Sequence, residues 1–281
     1  MLIFTKIGEL QEFLVQKKTG KISVGFVPTM GALHPGHISL VEASKKVCDL
    51  TVCSIFVNPT QFNDKSDLDR YPKTPQTDLE MLKSAHCDVV FMPSSEEMYP
   101  EKDERKFDFG YLDKILEGDH RPGHFNGVAQ VVSRLFDAVR PDKAFFGSKD
   151  YQQVMVIRAL VKLLNYEIEI VTCPTLRESD GLAMSSRNAL LNPKEREVSK
   201  IIPKLMQEAR ELKKKGKEIP EIKEHIVSEL NKRGNYELDY FTICDAETLK
   251  EINSFSEAKK HVALIACYVG KIRLIDNVLL N

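Results

Sequence analysis

The hydrophobic pattern divides the chain into an alternating first part and a segregated second part. Short apolar, often β-branched runs at 24–27, 50–57, 88–93, 143–146 and 167–171 have the length of buried strands. Between them the apolar positions take helical spacing. Leu10, Phe13 and Leu14 share one face of a helix over 5–18, Ile38, Val41 and Val47 one face of a helix following His37, and Val128, Val131, Val132, Leu135 and Phe136 one face over 127–139. Further helices are predicted from Asp78 and over 152–164. Strand, helix and strand recur as βαβ units, which build parallel sheets with helical crossovers. The polar, proline-punctuated stretch 63–77 reads as a long loop, and 94–107 as a charged irregular segment.

After Asn192-Pro193 the order changes. Lysine- and glutamate-rich helices are predicted over 194–215 and 219–232, then strands over 237–245, 262–269 and 271–279. Helices followed by strands predict a separate α+β module, with the divide between 176 and 190. No internal repeat or low-complexity tract interrupts this plan.

Composition narrows the classes. A chain of 281 residues with 42% hydrophobic residues can bury a substantial core. Forty basic and 41 acidic residues leave a net charge of −1, so no overall field recruits nucleic acid or an acidic membrane surface, and the basic run at 213–217 has flanking glutamates. No window approaches a membrane span and the first residues do not pattern as a secretion signal, which predicts a cytoplasmic protein. The six cysteines form no C-x-x-C pair and read as reduced, buried thiols.

The candidate chemistry gathers where strands end. Pro28-Thr29-Met30-Gly31 stops the first buried strand, and His34-Pro35-Gly36-His37 opens a helix. That unit aims backbone N–H groups and a positive helix end at a bound anion, with two imidazoles three residues apart on one turn. Asn58 and Gln61 follow the next strand, at the carboxyl end where open α/β sheets bind ligands. Gly147-Ser148-Lys149-Asp150 repeats the logic after another strand: a lysine for phosphate, an aspartate for ribose or metal, and Gln153 one turn on. Met184-Ser185-Ser186-Arg187 puts two hydroxyls and a guanidinium on adjacent loop residues, a set suited to phosphates. Arg121 and His124 stand before the 127–139 helix as secondary phosphate candidates.

His34-Pro35-Gly36-His37 resembles the HxGH signature of the nucleotidyltransferase superfamily, and Met184-Ser185-Ser186-Arg187 its KMSKS loop with arginine in place of the last lysines. FVPTMGALHPGH, FVNPTQF, FFGSKDYQQ and DGLAMSSRN together resemble the pantoate–β-alanine ligase family over nearly the whole chain. The resemblance implies a Rossmann-like parallel-sheet domain over 1–176 and a smaller α+β lid domain over 177–281. It implies condensation of pantoate with β-alanine driven by ATP through a pantoyl adenylate, with Mg²⁺, in a homodimer. It assigns ATP to Met30, Gly31, Ala32, Leu33, His34, Pro35, Gly36, His37, Gly147, Ser148, Lys149, Asp150, Leu176, Met184, Ser185, Ser186 and Arg187. Of these, His34, His37, Lys149, Ser185, Ser186 and Arg187 carry the catalytic roles. Pro28, Thr29, Asn58, Gln61 and Gln153 fall to the substrates, Asp78 and Asp150 to the metal, and Arg121 and His124 to a flap. Ser148 departs from the Glu or Gln of relatives. Two other readings stay open: a nucleotidyltransferase that stops after nucleotidyl transfer, and a non-catalytic nucleotide-binding module.

Overall fold

The computed structural model describes residues 1–62, 65–232, 234 and 236–280, without the side chains of 65–67. The chain divides into one unit of Met1–Ser148 with Gln152–Pro174 and a second of Lys149–Tyr151 with Thr175–Asn281. The first alternates strand and helix: β1 (Leu2–Phe4), α1 (Ile7–Lys18), β2 (Val24–Thr29), α2 (Pro35–Val47), β3 (Leu50–Ile55), α3 (Lys65–Arg70), α4 (Pro75–Ser84), β4 (Val89–Phe91), α5 (Ser95–Met98), α6 (Glu117–His120), α7 (His124–Val139), β5 (Lys143–Gly147), α8 (Tyr151–Leu163) and β6 (Glu169–Cys173).

The six strands form one parallel sheet in the order β1-β4-β3-β2-β5-β6. Its inner strands β2 and β3 read as apolar runs because both faces are covered. Phe26, Val52 and Phe146 pack with Leu10 of α1, Val132 of α7 and Leu160 of α8. The alternate residues Val27, Cys53 and Phe145 pack with Val41 of α2 and Leu82 of α4. From β2 the chain moves outward through β3 and β4, then returns to β5 on the other side. The carboxyl ends of β2 and β5 therefore flank the reversal point, where doubly wound sheets open a crevice.

Strand β1 was not expected: three half-exposed edge residues carry too little periodicity to register. The long loop read over 63–77 instead holds α3 and the start of α4, with Pro75 in the first helical position, where its missing N–H is no loss. Residues 63 and 64 of that stretch lie outside the described residues.

A buried ion cluster closes one flank of this unit. The Asp103 side chain, 2% exposed, accepts from Arg105 at 2.6 and 2.9 Å and from Arg134 at 2.8 Å. The Arg105 hydrogen bonds hold its carboxyl far below the usual range. A depressed folded value means stability that is complete above the unfolded value near pH 3.9 and lost as pH falls below it. Asp103→Asn is expected to cost about 2 kcal/mol at neutral pH and to flatten the acid limb, read by urea unfolding between pH 2 and 7.

The second unit pairs α9 (Pro193–Ser199), α10 (Ile201–Lys214) and α11 (Ile219–Asn231) with an antiparallel sheet of β7 (Glu237–Asp245), β8 (His261–Val269) and β9 (Ile272–Leu279). Leu205, Met206, Ile222 and Ile226 pack on Ile243, Ile265 and Cys267. The single helix expected over 194–215 is two, divided at Lys200. All six cysteines are free thiols, and burial pushes Cys244 and Cys267 up to about 12, so they stay protonated at neutral pH. Among the described residues no helix is long and apolar enough to cross a membrane.

Candidate active site

The turn after β2 is held from several sides. The Thr29 hydroxyl donates to the Ser54 carbonyl at 2.6 Å and accepts from the Gly31 N–H at 3.2 Å. Gly31 and Ala32 are both left-handed, with φ of 77° and 49°, and a Cβ on Gly31 would stand 3.0 Å from Asp78 Oδ2. The Ala32 and Leu33 N–H groups donate to the two Asp78 carboxylate oxygens at 3.0 and 2.8 Å. The Thr74 hydroxyl adds a third bond at 3.0 Å. These two amides therefore point at a protein carboxylate.

His34 occupies the cap position of α2 and Pro35 the first position. The His34 and His37 rings lie 4.0 Å apart, tilted by 31°. His37 Nδ1 accepts from the His34 backbone N–H at 3.3 Å. An imidazole that accepts at Nδ1 carries its proton at Nε2, so His37 offers an N–H donor on its far edge.

A second cluster forms at the end of β3. Asn58, fully buried, accepts at Oδ1 from the Tyr99 hydroxyl at 2.8 Å and the Thr60 hydroxyl at 3.1 Å. Its Nδ2 donates to the Gly127 carbonyl at 3.1 Å and to Gln61 Oε1 at 3.2 Å. The amide of Asn58 is thus engaged by protein and fixes the Gln61 carboxamide. With Oε1 engaged, Gln61 turns its NH₂ toward Met30, whose sulfur lies 3.0 Å away, and so joins the ends of β2 and β3. Gly127 allows this: a Cβ there would stand 2.4 Å from the Thr60 carbonyl oxygen.

His124 is buried at the start of α7, not carried on a solvated loop, and its Nδ1 lies 2.9 Å from the Gln61 carbonyl while Nε2 lies 3.2 Å from Arg121. Gln153 on α8 is half-buried. Its buried neighbour Gln152 pins the segment before α6, donating to the Leu112 and Ile115 carbonyls at 2.7 and 2.9 Å and accepting from the Glu117 N–H at 3.0 Å. Sequence reading missed these supporting roles of Gln152, Tyr99 and Asn58. Their signal is weak, since buried amides and phenols show no periodicity. Pro28 and Thr29 are in β2 itself, paired with Ser54 and Ile55.

Gly147 and Ser148 close β5 in the first unit, whereas Lys149, Asp150, Leu176 and the 184–187 segment belong to the second. There the Lys149 carbonyl accepts from Asn277 Nδ2 at 2.8 Å, and the Lys149 ammonium lies 3.7 Å from the Asp150 carboxylate. The Met184 N–H donates to the Leu176 carbonyl at 3.0 Å, beyond a bridge between Arg177 and Ala183. Ser185 Oγ accepts from the Arg187 N–H at 3.3 Å, so its hydroxyl proton is left to donate elsewhere. Asn188, buried, donates to Glu178 at 2.5 Å and to the Ala183 carbonyl at 3.0 Å. Arg196 grips Glu178 at 2.6 Å and Asp180 at 2.9 Å. Burial opposes ionisation of Glu178, and the Arg196 and Asn188 hydrogen bonds outweigh it, so its carboxyl sits below the ordinary range. The serine-arginine segment thus starts from an anchored base.

Magnesium was expected near Asp78 and Asp150. Asp78, 1% exposed with both oxygens engaged by N–H and O–H donors, does not fit a metal ligand. Asp150, with half its side chain exposed, does. Among the described residues no three His, Cys, Asp or Glu side chains gather as a metal site.

The comparisons converge on one family. Residues 2–279 match the model of pantoate-beta-alanine ligase. A pantothenate synthetase of Porphyromonas gingivalis is 48% identical over 279 residues, 99% of each chain, and that of Acetivibrio thermocellus is 44% identical over 284, the full length of both. Among solved structures, pantothenate synthetase from Thermus thermophilus superposes with a TM-score of 0.94 at 39% identity, covering 100% of this chain and 99% of that one. The ligase from Francisella tularensis, complexed with beta-gamma ATP and beta-alanine, gives 0.82 at 35% identity, with 100% and 98% covered. The chain belongs to the pantoate–β-alanine ligase family.

Proposed function

We propose that the chain makes pantothenate from pantoate and β-alanine in two ATP-driven steps. The pantoate carboxylate attacks the α-phosphorus of ATP, a P–O bond forms, the α–β bridge breaks, and pyrophosphate leaves. The β-alanine amine then attacks the acyl carbon of the pantoyl adenylate. A C–N bond forms, AMP leaves with the former carboxylate oxygen, and the amine releases a proton to solvent. A carboxylate is a poor acyl donor and the mixed anhydride a good one, so placement and charge stabilisation are the protein's whole task.

The observation that carries this reading is the oriented pair of donors at the ends of β2 and β3. His37 accepts at Nδ1 and so carries its ring proton at Nε2, and the Gln61 amide, held by Asn58, donates to the Met30 sulfur. In this reading His34 and His37 hold the phosphoryl oxygens as charge builds on them, and Gln61 with Gln153 clamps pantoate. Lys149, Ser185, Ser186 and Arg187 neutralise the triphosphate. Asp150 would hold Mg²⁺, whose charge would offset that of the phosphates. The same reading implies a homodimer in the cytoplasm.

Asn58→Asp tests the clamp. A carboxylate cannot donate to Gln61 Oε1, so the Gln61 amide loses its orientation. The KM for pantoate is expected to rise about tenfold with the KM for ATP little changed, in a steady-state assay of AMP formation. An unchanged pantoate KM counts against the assignment of Gln61.

A further inference from the structure

We propose that Asp78 is a positioning residue that clamps the turn bearing His34 and His37, and that it does not hold magnesium. Three donors converge on its carboxylate: the Ala32 and Leu33 N–H groups at 3.0 and 2.8 Å and the Thr74 hydroxyl at 3.0 Å. Two are backbone donors from consecutive residues, one to each oxygen. A carboxylate used in this way fixes the direction of a peptide segment as a bidentate clamp does.

The turn needs such a clamp. Gly31 and Ala32 are successive left-handed residues, and Ala32 holds φ 49° despite its Cβ, a conformation that persists only where the surroundings impose it. Asp78 supplies the imposing contact from the first turns of α4, an element that the chain reaches only after β3. Gly31 leaves just enough room, since a Cβ would approach Asp78 Oδ2 to 3.0 Å. His34 begins two residues after Ala32, so the angle at which α2 starts, and with it both imidazoles, is set by this carboxylate. A magnesium ion in its place would have to take oxygens that two amides already share in a site 1% exposed.

The catalytic part of this inference rests on the proposed adenylate-forming reaction, and the structural part does not, so the experiment reads both. Asp78→Asn keeps the shape but offers one acceptor where two amides donate. Amide exchange at Ala32 and Leu33 is expected to speed up about tenfold or more, with the protection of the β2 and β3 amides retained. Pyrophosphate release with saturating ATP and pantoate is expected to fall about 100-fold, the scale of a small misplacement of catalytic groups, and excess Mg²⁺ is expected not to restore it. Unchanged protection at Ala32 and Leu33, or recovery of the rate on raising Mg²⁺, overturns the proposal. Should the variant fail to fold, the unsubstituted protein decides: slow exchange of both amides without ligand upholds the clamp, and exchange at open-loop rates overturns it. Absence of pyrophosphate release from the unsubstituted protein would strike the ligase reading and leave the exchange result standing.

Discussion

Replacing His37 by alanine is expected to slow pantoyl adenylate formation about 1000-fold, the upper scale for removing one donor aimed at charge that develops in a transition state. The His34 N–H occupies Nδ1 of His37, which leaves the ring proton at Nε2 and makes the imidazole a donor without any need for protonation. Alanine removes the bond from the His34 N–H but leaves Pro35 in the first helical position, so circular dichroism should change little and the melting transition should fall only modestly. Pyrophosphate release with ATP and pantoate alone measures the loss. The second half-reaction gives the contrast: supplied pantoyl adenylate should still react with β-alanine within about tenfold of the normal rate, since the phosphoryl charge is by then on a leaving group. An unimpaired release of pyrophosphate would remove His37 from the chemistry.

The largest expected stability effect lies in the second unit. Arg177 donates to both oxygens of Asp276 at 2.7 and 2.9 Å, and the Asp276 side chain is 1% exposed. The pair ties β9 to the start of the segment that bridges to Ala183 and then runs into Met184 and Ser185. Truncating Asp276 to alanine opens a polar void and takes the carboxylate from a guanidinium that is 33% exposed and still donates to the Gly181 carbonyl at 3.0 Å, at a cost of about 3 kcal/mol. Thermal unfolding followed by calorimetry should show the loss. Arg177→Met is expected to cost more, because it leaves a carboxylate 1% exposed without its cation, although the Asn277 N–H still donates to it at 2.8 Å. Equal losses in the two variants would mean that packing, not the ion pair, holds the segment.

Much of the fold was legible because both faces of the first sheet are covered. Burial turns β2, β3 and β5 into apolar runs, although β2 continues through Pro28 to Thr29 and β5 takes in Gly147, each beyond the stop that the sequence pattern predicts. What escaped was short or exposed: β1 presents three half-exposed residues, and α3 with the start of α4 hides among prolines and charges that read as loop. The histidines, Gln61 and the serine-arginine segment were legible since polar residues at strand ends are out of place in a hydrophobic pattern. Their supports were not. Asp78, Asn58 and Gln152 act through hydrogen bonds to distant backbone, and nothing in the local sequence says which carbonyl or amide a side chain will meet after folding. Asp78 illustrates the trap, because an acidic residue in the first turn of a helix has an adequate local explanation in the helix dipole. Its partners lie 45 and 46 residues earlier.

In the proposed reaction, activation of the acid precedes, and is separable from, capture of the amine. The most direct test is quenched-flow measurement of pyrophosphate and AMP with ATP and pantoate, before and after addition of β-alanine. The account predicts about one equivalent of pyrophosphate per chain without β-alanine and no AMP, then AMP and pantothenate in equal amounts once β-alanine is added. Pyrophosphate that appears only with β-alanine, or ADP and phosphate in its place, would contradict it.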